Sequence, residues 1–281
     1  MKIGMNTLLW TGTFTEQHLD LFDRIAAIGF DGVEFSLYDP NASPWPAMKR
    51  RLDDLGLKRT GVTMVSGDDS LADESPAVRR HAVDHLKACL DVGAFMGVEV
   101  MAGPLVVPVG KLVGRGRTEG EWARAVEGLR EVALHAREVG IPLAMEPLNR
   151  FESYFLNTAA DAAALVAEVD VEGFGYLFDT FHFNIEERDL VGALRATLPA
   201  VKHFHASEND RSTPGVGHVP WKALFAELHA ADYQGWVTIE AFGQALPELA
   251  AATCIWRRMY DTEEQLAADG LKFLRGLSTA S

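Results

Sequence analysis

Hydrophobic residues follow two rhythms that alternate along the chain. Short runs of β-type residues cover Ile3–Leu9, Gly32–Leu37, Arg59–Val65, Val98–Ala102, Pro142–Pro147, Gly175–Asp179, Val201–Ala206 and Trp236–Ala241. Between them apolar residues recur at helical spacing near 16–28, 44–56, 76–92, 119–139, 159–169, 187–197, 221–231 and 247–268. The strand runs are apolar nearly throughout rather than alternating, as parallel strands buried on both faces are. Helix ends are marked too. Thr118 with Glu121 three positions on forms a capping box, Thr158 with Asp161 resembles another cap, and Ser75 precedes a proline at a first helical position. Gly29, Gly56 and Gly140 stand where left-handed C-caps are expected. Eight strand–helix units without a linker or low-complexity break predict an α/β chain. The predicted architecture is one (β/α)8 barrel forming a single domain over 1–281, with a doubly wound sheet plus a small extra domain as the alternative.

Composition narrows the functional classes. The 281 residues are 48% hydrophobic and 23% charged, ordinary globular values that exclude disordered and fibrous classes. Lys+Arg number 26 against 40 Asp+Glu, a net charge of −14 that repels nucleic acid and anionic lipid. The one small basic stretch, Lys111 to Arg117, reads as a solvated loop or interface. Its sharper reading is a contact from Arg115 or Arg117 to a phosphate or carboxylate on a substrate. Cys89 and Cys254 cannot build a disulfide framework and are expected as small apolar residues in helices. No signal-like or membrane-spanning apolar run is present, so a cytoplasmic protein is expected.

In such a barrel the chemistry gathers where strands end. The last four predicted strands all finish in ligand-type side chains. AMEPLNRFE supplies Glu146 and Glu152, LFDTFH supplies Asp179 and His182, KHFHASEND supplies His203 and His205, and VTIEAFG supplies Glu240. One carboxylate at a strand end is ordinary, but Glu240 lies between Ile239 and Ala241, where an unpaired charge would be costly. Acid, acid, imidazole and acid on consecutive strand ends make a hard, oxygen-rich set suited to Mn²⁺, Mg²⁺ or Co²⁺. His203 and His205 share a strand face, so spacing alone admits either. His205 is preferred because it lies nearer the loop, which leaves His203 as a core or second-layer residue.

The segments EPLNRFE (Glu146–Glu152), DTFH (Asp179–His182), HASENDR (His205–Arg211) and IEAF around Glu240 resemble the D-tagatose 3-epimerase family, ketose 3-epimerases of the xylose-isomerase-like barrels. The opening IGMNTLLW, FDGVEFSL and IWRRMY extend the resemblance over essentially the whole chain. The resemblance implies an isomerase that inverts C3 of a ketose. Glu146, Asp179, His205 and Glu240 would be the ligands of a divalent metal, Mn²⁺ first, with Co²⁺ or Mg²⁺ as further candidates. Glu146 and Glu240 would be the acid/base pair, and Glu152, His182 and Arg211 would hold the sugar around O1 to O3. It also implies a homodimer or homotetramer, with a small sugar as partner and neither nucleic acid nor membrane. Family members acting on free hexuloses tend to carry aromatics after strand four, where this chain has PLVVPVGKLVGRGR. Aldose–ketose or hydroxypyruvate-type isomerisation and keto-inositol dehydration are the competing reactions on the same barrel. A sugar-binding barrel without catalysis is the non-enzyme alternative.

Overall fold

The computed structural model describes residues 1–279, and in it eight parallel strands close into a barrel in chain order. The strands are β1 (Lys2–Asn6), β2 (Gly32–Ser36), β3 (Lys58–Val62), β4 (Met101–Gly103), β5 (Leu143–Met145), β6 (Phe174–Asp179), β7 (Val201–Ala206) and β8 (Trp236–Ile239). Around them run α1 (Asp20–Ile28), α2 (Trp45–Leu55), α3 (Pro76–Met96), α4 (Glu119–Glu138), α5 (Ala159–Val169), α6 (Thr180–Glu186), α7 (Leu190–Thr197), α8 (Trp221–Ala230), α9 (Pro247–Ala252) and α10 (Glu263–Ser278). The predicted (β/α)8 architecture is the observed one.

Local chemistry accounts for where the elements stop. The Thr118 hydroxyl accepts from the Glu121 amide at 3.2 Å, while Glu121 returns a bond to the Thr118 amide. Ser75 stands at the N-cap of α3 but makes no side-chain cap bond. Gly29 and Gly56 adopt the left-handed conformation that ends α1 and α2, and Gly140 adopts it two residues past the end of α4. β1 ends at Asn6 rather than Leu9, because the Asn6 side chain accepts from the Leu8 amide at 2.8 Å and starts a 3-10 turn. β4 covers Met101–Gly103 instead of 98–102.

Two expectations need correction. The helical pattern over 247–268 is two helices, α9 and α10, separated by an irregular stretch; Thr262 caps α10 by accepting from the Gln265 amide at 3.1 Å. Cys254 therefore lies outside any helix, exposed and at φ +58°, whereas Cys89 is buried in α3. α10 closes the ring against the first strands. Its Leu266 and Leu274 are fully buried, each worth about 1.5–3 kcal/mol, and Arg275 bonds Asp31 at 2.7 Å, whose other oxygen accepts from the Ile3 amide.

Among the described residues no helix is long and apolar enough to cross a membrane.

Candidate metal centre

Strand register sets out the site before any side chain does. Asp179 pairs with His205 across β6 and β7, and Ala206 pairs with Ile239, the residue before Glu240, across β7 and β8. On the other side of the barrel Asn6, Glu34 and Thr60 lie in one row across β1, β2 and β3. Parallel strands direct alternate residues inward, so both rows meet in the barrel interior.

Asp179 caps α6. Its Oδ1 accepts from the Phe181 and His182 amides at 2.6 and 3.2 Å, and its Oδ2 is buried with no hydrogen-bond partner among the described residues. The Nδ1 of His205 is also buried and unpartnered, 3.5 Å from Asp179 Oδ2 and 3.5 Å from Glu240 Oε1. Two oxygens and an imidazole nitrogen thus converge, and the three could ligate a common ion. Orphaned buried acceptors are costly, and a hard divalent cation satisfies them together, so the donor set fits such a metal.

Glu146, at the end of β5, joins through Asp179: with Asp179 and His182 it forms a second group close enough to share an ion. Its placement depends on Gly103 at φ +131°, whose carbonyl accepts the Glu146 amide at 2.8 Å. A Cβ on Gly103 would lie 2.0 Å from the Thr63 carbonyl, so only glycine fits there. His182 Nδ1 accepts from the Asn149 amide at 3.1 Å, and its Nε2 lies 3.3 Å from Arg211 Nη2 and 3.5 Å from Glu146 Oε1. Glu152 accepts from the Asn149 side chain at 2.9 Å. Arg211, at φ +66°, is buried between the rings of Phe181 and Phe242 and donates to Glu240 Oε2, with Asp179 Oδ2 at 3.8 Å.

The charges disturb one another. Burial pushes the Glu240 carboxyl up to about 7, with Asp179 and Glu146 adding to the rise against Arg211 and His205. Burial also raises Asp179, but the neighbouring His205, His182 and Arg211 hold it well below the usual carboxylate range. Burial lowers His205, but Glu34, Glu240 and Asp179 outweigh it and raise the imidazole.

Three functional positions escaped the sequence reading. Glu34 is fully buried and accepts from Asn6 (2.9 Å) and Thr60 (2.8 Å), and its two oxygens hold His203 Nε2 (2.6 Å) and His205 Nε2 (2.7 Å). It fixes the His205 ring with Nδ1 toward Asp179 and Glu240, the way a carboxylate behind a ligating histidine does. It also forms a third ion-sized group with the two histidines. Its signal was a glutamate inside the apolar run FDGVEFSL, the same signal that singled out Glu240. Asn149 was visible only as part of a motif. Glu208, fully buried, accepts the Gly215 and Val219 amides and the Trp221 indole at 2.8, 3.2 and 2.9 Å, which orders the loop that carries Arg211.

A cavity of about 200 Å³ opens above these groups, lined by Glu146, Glu152, His182, Arg211 and Glu240 and by apolar side chains. Arg115 and Arg117 do not line it. Arg115 pairs with Glu121 at 2.8 Å, and Arg117 bonds the Phe155 carbonyl and Asp161 at 3.0 and 3.1 Å, so structural ion pairs take the place of the substrate contact that was the sharper reading of this stretch.

Known proteins share this arrangement of strands. The profile of the xylose isomerase-like TIM barrel matches residues 22–277. A probable ketose 3-epimerase of Synechocystis sp. is 34% identical over 98% of this chain and 96% of its own. A ketose 3-epimerase of Arthrobacter globiformis is 31% identical over 100% and 98%. The crystal structure of a D-allulose 3-epimerase from Methylomonas sp. in complex with D-allulose superposes with a TM-score of 0.93 at 26% identity, covering 98% of this chain and 96% of that one. The chain belongs to the xylose isomerase-like TIM barrel family, as an isomerase-class enzyme in the branch of the ketose 3-epimerases.

Proposed function

We propose that the protein inverts C3 of a ketose with a divalent metal held by Glu146, Asp179, His205 and Glu240, and with Glu146 and Glu240 as the two proton-transferring groups. The observation that carries this reading is the pair of orphaned buried atoms, Asp179 Oδ2 and His205 Nδ1, facing Glu240 beside a cavity whose other polar wall is Glu146. When bound, the metal would hold neighbouring sugar oxygens and stabilise the negative charge that develops as the carbon-bound proton leaves. Inversion needs a group on each face of C3. Glu146 on the β5 side and Glu240 on the β8 side supply two carboxylates, one removing the proton and the other returning it from the opposite face. His182 and Arg211 would hydrogen-bond sugar oxygens, and Glu152 would accept from a hydroxyl. A one-base aldose–ketose isomerase would use only one of the two carboxylates for proton transfer and the other as a ligand alone.

Mn²⁺ is the proposed metal, since the set is oxygen-rich with one imidazole. The reading takes the chain as one catalytic domain, assembled as a homodimer or homotetramer in the cytoplasm. Chelation should abolish activity on a panel of ketoses, with Mn²⁺ or Co²⁺ restoring it and the far-ultraviolet dichroism unchanged. Full activity in protein shown by elemental analysis to be metal-free would contradict the proposal.

A further inference from the structure

Glu152 and His182 reach the cavity from different elements, the loop after β5 and the first turn of α6. One residue that does not line the cavity joins them. Asn149 is buried, and each of its polar atoms is engaged. Its backbone N–H donates to His182 Nδ1 at 3.1 Å, and its carbonyl accepts from the Glu152 and Ser153 amides at 3.0 Å each. Its Oδ1 accepts from the Phe151 amide at 2.9 Å. Its Nδ2 donates to Glu152 Oε1 at 2.9 Å and lies 2.9 Å from His182 Nδ1. These neighbours fix the amide's orientation, because an N–H needs the oxygen and a carboxylate needs the nitrogen.

Each residue it holds is left with one polar atom on the cavity side. Glu152 keeps Oε2, which has no hydrogen-bond partner among the described residues, and His182 keeps Nε2, beside Arg211. Released from Asn149, the half-buried Glu152 side chain would regain rotamers that substrate binding must then remove. We propose that Asn149 is a positioning residue that makes Glu152 and His182 one clamp, presenting Oε2 of the first and Nε2 of the second to the same sugar. This rests on the reading of Glu152 and His182 as sugar contacts above.

The test uses Mn²⁺-loaded protein with D-allulose, D-fructose, D-tagatose and L-ribulose, read by KM, kcat and calorimetric dissociation constants. Asn149→Asp keeps the oxygen that the Phe151 amide needs and turns the Glu152 donor into a second carboxylate. On the ketose bound best, KM and the dissociation constant should rise about tenfold or more, with a smaller fall in kcat. A residue that only shapes the turn would tolerate aspartate, so both constants staying within twofold of the wild type overturns the proposal. Should the aspartate variant not fold, Asn149→Ser also leaves an acceptor for the turn but cannot reach Glu152, and the same rise is expected. Glu152→Gln supplies the decisive cross-check, because its amide can donate to an aspartate at 149. The effect of Asn149→Asp should be at least threefold smaller in that background, and equal effects in both backgrounds overturn the clamp. Binding without C3 epimerisation of any of the four sugars contradicts the epimerase reading instead, and the dissociation constants still score Asn149. Binding of none overturns the clamp as well.

Discussion

The two halves of the barrel mouth divide the work. Strands β5 to β8 end in Glu146, Asp179, His205 and Glu240, with His182 and Arg211 close behind. Strands β1 to β4 end in Leu8, Tyr38, Val62 and Pro104 around the same cavity. Charge is concentrated where a reacting carbon would sit, and shape is left to the other side. The halves are joined below the mouth by Glu34, which reaches from β2 across the interior to His203 and His205 on β7.

The comparison can be broken most directly at the charged half. Glu146→Gln and Glu240→Gln should each lower kcat by about 10²–10⁴-fold in steady-state assays, because an amide neither takes nor returns a proton. The joint between the halves comes next. Glu34→Gln puts an amide donor where two imidazoles and two further donors now meet a carboxylate, so a buried group goes unpaired. Denaturant unfolding should show a loss of about 1–3 kcal/mol. Metal titration should show affinity about 10–100-fold weaker, which a merely structural change would not produce.

Glu208→Gln tests whether Arg211 is held in place from a distance. Each Glu208 oxygen accepts from two donors, Oε1 from the Asn209 and Val219 amides and Oε2 from the Gly215 amide and the Trp221 indole, and an amide nitrogen can serve neither set. KM for a ketose should rise several-fold with a smaller change in kcat, and adding Arg211→Gln should produce little further loss. A full additive loss in the double variant would separate the two residues.

The apolar half rests on the loop after β4, and Glu121 anchors that loop. Burial raises its carboxyl, but bonds from Arg115, Thr118 and Tyr154 bring it down to about 2. A carboxyl depressed in the folded state stabilises above its unfolded value of about 4.5, and that stability is lost as pH falls toward 2. Chemical denaturation across pH 2–5 should therefore be steeper in the wild type than in Glu121→Gln, by up to about 3 kcal/mol. The smallest effect belongs to Arg115→Gln and Arg117→Gln. Since both are paired away from the cavity, kcat/KM for neutral and charged ketoses should change less than about twofold and alike.

Much of this was legible in the sequence, and the gaps have physical causes. The alternating runs predicted all eight strands, because parallel barrel strands are buried on both faces and stay apolar. Capping chemistry located helix starts at Thr118 and Thr158. Periodicity failed at 247–268, where apolar spacing continues across the break between α9 and α10 although Thr262 with Gln265 three positions on signals a new start. α6 was missed because its cap is Asp179 itself, so the helix begins as the strand ends. Among the site residues, the strand-end acids were readable from position. Glu34 was not read, since it lies a layer below the mouth and its partners come from β1, β3 and β7, which only the closed barrel brings together.

Turnover in deuterated water tests the central claim most directly. With Mn²⁺-loaded protein and a ketose that it converts, nuclear magnetic resonance of the product should show one deuterium at C3 and a ketose epimer as the product. Deuterium at C1 or C2 with an aldose as the main product would contradict the account and assign the two glutamates to an isomerase.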